Sequence, residues 1–74
     1  MNNENVFFNP GDAISSSHDY KEARRSAQII KANKPTAGQI IIAKSAKNGT
    51  YAIYLAENAL DEKHGEPYKI TDKL

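Results

Sequence analysis

Large apolar side chains along this chain fall into short clusters with two different periods. Tyr20, Ala23, Ala27 and Ile30 recur at steps of three and four, the spacing that lines up one stripe of an α-helix. Ser16 and Asp19 stand at capping-box spacing ahead of them, and Asp19 with Glu22 repeats it, so a helix should begin here. It should end by Asn33, because Pro35 disfavours helical geometry at the residue before it and Asn33 tolerates the left-handed conformation that closes helices. The spacing predicts a helical segment over residues 16–33, regular over 19–33, with Ile29 off the apolar stripe.

The period then shortens. Residues 39–43 and 50–56 are rich in β-branched and aromatic side chains and flank Asn48-Gly49, a strong hairpin signal because a two-residue type I′ turn needs positive φ at both positions. A hairpin is expected within residues 38–57, its arms being 40–47 and 50–55. Two-residue closure would set Lys47 opposite Thr50, Lys44 opposite Ile53, Ile42 opposite Leu55 and Ile40 opposite Glu57. Alternation along each strand then puts Ile40, Ile42, Tyr51, Ile53 and Leu55 on a core face, against the helix alanines. The other face carries Ile41, Ala43, Ser45, Ala52, Tyr54 and Ala56. It is expected to be partly open, leaving Ile41 and Tyr54 as candidate contacts for a partner.

Both ends of the chain read as accessory structure. Residues 1–15 form a leader or a short edge strand, with Val6, Phe7 and Phe8 before a turn at Asn9-Pro10-Gly11-Asp12. Residues 58–74 offer one helical turn over 58–65 and a marginal strand over 67–71. The expected fold is a single α+β domain, β-α-β-β with a possible final strand. A lone hairpin is barely stable in water, so the helix or a third strand must support it. Unless residues 6–8 fold back as a neighbour, residues 40–42 form an exposed edge that a partner strand or a second copy of the chain would cover.

Composition narrows the setting. A chain of 74 residues buries only about 60% of the surface its unfolded form exposes. It has no cysteine, which excludes disulfides and cysteine-based zinc sites and favours an intracellular, cytoplasmic protein. No export signal is expected, and the longest apolar run, 40–43, is far too short to span a bilayer.

Charge is uneven although the net is +1. Residues 1–18 carry −2, residues 19–47 carry +5 and residues 48–74 carry −2. Lys21, Arg24, Arg25 and Lys31 share a helix face, and Lys34, Lys44 and Lys47 extend the charge into the hairpin. Seven cations on one surface would attract a phosphate backbone or an acidic protein. A solvated helix face in any soluble protein has the same appearance. No stacking platform accompanies the charges, since Tyr51 and Tyr54 fall on opposite strand faces, and the pI of about 8.0 is below the strongly basic range of nucleic-acid domains.

Motifs of known chemistry are absent. His18 lies among Ser15, Ser16, Ser17 and Asp19, but a catalytic triad converges from separated parts of a scaffold, and capping accounts for this cluster. His64 with Asp61, Glu62 and Glu66 lacks a metal-binding spacing. The four glycines are isolated, so no loop cradles phosphate, and so short a chain is expected to lack a pocket of ligand size. No cofactor and no metal are expected. The reading is a non-enzymatic binding or regulatory protein, an inhibitor or accessory factor, that engages another protein through a sheet edge or the basic helix face. The alternative is a nucleic-acid binder using the seven cations.

Overall fold

The computed structural model describes residues 5–34, 36, 38–61 and 63–74. Glu4, Pro35, Ala37 and Glu62, on which parts of the sequence reading fall, lie outside the described residues. The elements are β1 (Asn5–Phe8), a 3₁₀ turn (Pro10–Asp12), β2 (Ser15–Ser17), α1 (Tyr20–Asn33), β3 (Ile40–Ser45), β4 (Tyr51–Leu55), a second 3₁₀ turn (Ala56–Asn58) and β5 (Glu66–Lys73). One helix packs on a five-stranded antiparallel sheet of order β1-β5-β3-β4-β2. The class is α+β.

Asp19 starts the helix as expected, its carboxylate accepting from the Lys21 amide at 3.0 Å. Ser16 takes no part in the cap. Ser17 does, its hydroxyl oxygen accepting from the Asp19 amide at 3.1 Å and its proton going to Glu22 Oε1 at 3.2 Å. Residues 15–17 are a strand rather than the first helical residues, with Ser15, Ser16 and Ser17 opposite Ile53, Ala52 and Tyr51 of β4. Pairing with a distant strand, which no local pattern reports, makes these serines a strand despite their small intrinsic preference for one.

The helix lays Ala23 and Ala27 on Ile40, Ile42 and Ile53, with Tyr20, Ile30, Tyr51, Leu55 and Leu74 around them. Alanine lets the helix approach closely, so the large side chains of the sheet fill the interface. This is the core face read from alternation.

The hairpin register differs from the expected one. Ile40 pairs with Leu55, Ile42 with Ile53 and Lys44 with Tyr51, which leaves a loop of residues 46–49 between Ser45 and Thr50. Within this loop only Gly49 takes positive φ, +72°. Asn48 does not need to, because side chains satisfy the turn: Ser45 Oγ accepts from the amides of Lys47 (3.1 Å) and Asn48 (3.4 Å), and Asn48 Oδ1 accepts from Thr50 (3.0 Å). The slip is even, so every side chain keeps its face.

The second face is a core in its own right, contrary to the expectation of an open one. Phe8, Ile41, Ala43, Ala52, Tyr54 and Tyr68 are buried there. Phe8 stacks on Tyr54 with centroids 4.1 Å apart, and Tyr68 meets both rings edge-on at 6.0 and 5.3 Å. Two long-range features close it. β5 pairs along β3 on one side and β1 on the other, so the segment expected to be marginal is the longest strand, with a bulge that leaves Thr71 between the Ile42–Asp72 and Ala43–Ile70 pairs. Because β1 and β2 occupy opposite sheet edges, their link over residues 9–14 crosses this face, and Ala13 packs into it. At Gly65 an added Cβ would come within 2.9 Å of the Phe8 amide nitrogen, so a side chain there would push β1 away.

Candidate functional site

Four of the seven cations have a partner in the structure. Arg24 pairs with Asp72 of β5, which also accepts from the Tyr20 hydroxyl at 2.8 Å. Lys31 donates to the Gly38 carbonyl at 2.8 Å. Lys47 lies 3.8 Å from Glu66, while Lys44 stands 5.7 Å from the Tyr51 ring centroid, opposite Lys69 of β5. Lys21, Arg25 and Lys34 are exposed and, among the described residues, make no ion pair. Ile41 and Tyr54, expected as surface contacts, are 5% and 0% exposed. They belong to the second core, because the β1–β2 link and the rings of Phe8 and Tyr68 cover them.

An apolar edge takes their place. The arms of the hairpin are flanked by β2 and β5, so residues 40–42 lie inside the sheet and the free edges belong to β1 and β2. The β1 edge is partly occupied, since the Leu60 amide donates to the Phe7 carbonyl at 2.7 Å. At the start of β2, Ile14 is 44% exposed, and Ile29 on α1 is 54% exposed. Between β2, the end of β4 and the end of α1 lies a cavity of about 210 Å³ lined by Ile14, Ile30, Asn33, Lys34 and Leu55. Ile29 is legible in the sequence as the apolar residue off the helix stripe. Ile14 is not, because its exposure follows from the position of β2 at the sheet edge.

A second cavity lies on the face opposite the helix, between the sheet and the β1–β2 link, and holds about 370 Å³. That is within the range of about 300 to 1,000 Å³ typical of ligand pockets, contrary to the expectation that so short a chain lacks room. Small residues make the space: Ser16, Ser45 and Ala52 stand where larger side chains would fill it. Its polar wall includes Thr50, Glu66 and Tyr68. His18 joins it, with Nδ1 3.4 Å from Thr50 Oγ1, while Asp19 is engaged in capping the helix. Tyr54 donates to the Tyr68 hydroxyl at 2.8 Å in the same wall. Burial first, and this hydrogen bond second, push the Tyr54 phenol well above its usual range, so it stays neutral.

His64 Nδ1 lies 2.6 Å from Asp61 Oδ1, a contact that holds the Asp61 carboxyl below its usual value. Glu66 turns to Lys47 instead. Among the described residues, no three His, Asp or Glu side chains are placed to hold a metal ion. No described helix is long and apolar enough to cross a membrane.

Comparison with known proteins finds no matching family model, no matching curated protein and no matching solved structure.

Proposed function

We propose that this chain is a non-enzymatic binding module that docks a protein partner along the outer edge of β2 and the adjoining end of α1. The observation that carries this reading is Ile14, 44% exposed at the β2 edge and lining an apolar hollow with Ile30 and Leu55; Ile29, 54% exposed on the same helix as Ile30, adds apolar surface on α1. An edge strand with unpaired backbone groups accepts a partner strand, and a neighbouring hollow takes one of its side chains. Lys34, exposed at the end of α1 and lining the hollow, favours acidic residues in that partner. A chain without cysteine suits an intracellular setting.

The test is affinity purification from the native host at near-native expression, with Ile14→Asp and Ile29→Asp beside the wild type. One stoichiometric partner should be recovered by the wild type and lost from both variants, whose melting temperatures should match it. Recovery of the same partner by both variants overturns the reading.

A nucleic-acid reading retains one supporting observation. Lys44 and Lys69 face each other on β3 and β5, a like-charge pairing that costs stability unless an anion sits between. Lys44→Glu with Lys69→Glu should then abolish salt-sensitive binding to a generic duplex or single strand. Absence of such binding by the wild type removes this alternative.

A further inference from the structure

The cavity beneath the β1–β2 link is lined by two hydroxyls that each keep a proton to donate. A hydroxyl carries one donor and two acceptor sites. Ser45 Oγ accepts from the amides of Lys47 and Asn48, and Tyr68 Oη accepts from Tyr54. Among the described residues neither hydroxyl has an acceptor for its own proton. Both residues are buried, Ser45 at 8% and Tyr68 at 5% exposure, and each already has a hydrogen-bond partner, so what remains to each is a proton to give. They are also cross-strand partners in the β3–β5 ladder, on the face that carries the cavity, and both line it. Two donors on adjacent strands therefore belong to the lining of one cavity.

We infer that this cavity is a binding site for a small, neutral molecule of the amide class, whose carbonyl oxygen accepts from Ser45 and Tyr68 and whose N–H is received by Glu66. Glu66 is two residues before Tyr68 on β5, and strand alternation puts both on one face. The apolar remainder of the molecule lies against Pro10, Ala13 and Ala52. Carboxylates disfavour an anion: Glu66 forms part of the wall and Asp12 lies in the link above it, against Lys47 at 3.8 Å from Glu66 and the His18 ring in the wall. A carboxylate or phosphate would meet that field, whereas a carboxamide or lactam meets donors and an acceptor together. The site is separate from the β2 edge and does not depend on the protein-binding reading.

Nicotinamide and nicotinate make a matched pair of probes, one ring bearing a neutral amide or a carboxylate. Titrated into the full chain and followed by amide NMR shifts, nicotinamide, uracil or urea should give saturable changes at Ser45, Thr50 and Tyr68. Nicotinate should leave them unmoved. Ser45→Ala and Tyr68→Phe should each weaken amide binding about five- to tenfold, the loss expected for one hydrogen bond, and an unchanged spectrum away from the cavity would show that each variant folds. The proposal is overturned if none of the three amides produces saturable shifts, if nicotinate binds as well as nicotinamide, or if both folded variants bind like the wild type.

Discussion

Tyr54 shows how much one side chain carries here. Its ring stacks on Phe8 and its hydroxyl donates to Tyr68, so it joins β1, β4 and β5 within one core. Its phenol is held above the ordinary value of 10.0, chiefly by burial, and this has a direction in pH. Below the unfolded value both states are protonated and nothing is lost. As pH rises through it, the unfolded chain ionises while the buried phenol does not, and stability falls until the folded group ionises too. Alkaline titration followed by circular dichroism should show this loss, and Tyr54→Phe should remove the part due to this residue while costing about 1 kcal/mol at neutral pH through the lost hydrogen bond. Asp72 is a second such residue, accepting from Tyr20 and pairing with Arg24. Asp72→Ala should lower stability in denaturant by about 1–2 kcal/mol without changing the slope. At this scale the sequence was informative about residue type and face. Alternation along β4 separated Tyr54 from Tyr51 correctly, but it could not say what covers the second face, because the cover comes from Phe8, Ala13 and Tyr68, remote in sequence.

Elements with local signals were the legible ones. The helix start at Asp19 follows from a side chain that reaches its own first turn, and the helix stripe from spacing alone. The reversal at residues 46–49 was also legible, although its length was not. Ser45, outside the expected turn, supplies the acceptor that favours a longer loop. Strands β2 and β5 were missed or undervalued for a common reason: Ser15, Ser16 and Ser17 have little intrinsic preference for a strand, and Pro67 lacks an amide to donate. Their ladders depend on partners far along the chain. Gly65 marks another long-range constraint, where the approach to Phe7 and Phe8 leaves no space for a side chain. Gly65→Ala should therefore destabilise the protein and lower hydrogen-exchange protection in β1 before it affects α1. Equal loss of protection in both elements would contradict this.

At the scale of the whole molecule, one sheet separates two cores. Ile40, Ile42 and Ile53 face the helix, while Ile41, Ala43, Ala52 and Tyr54 alternate with them on the same strands and face the β1–β2 link. Neither layer can be lost without exposing the other, so unfolding should be one cooperative transition. Tyrosine near-ultraviolet signals, which report both cores, should coincide with far-ultraviolet ellipticity through the melt. Ile42→Ala, which empties only the helix side, should lower both midpoints together at a cost of about 2–5 kcal/mol. The α+β class, the helix, the existence of the hairpin and the pairing of alanines with isoleucines were determined by the sequence itself, since spacing, capping and alternation act over a few residues. Only the tertiary structure decided that a second core exists, that Ile41 and Tyr54 belong to it, that Arg24 and Lys31 are engaged, and that an apolar edge and a polar cavity remain. Those outcomes depend on which distant strands become neighbours, and the connections that bring them together carry no periodic trace of the contacts they make.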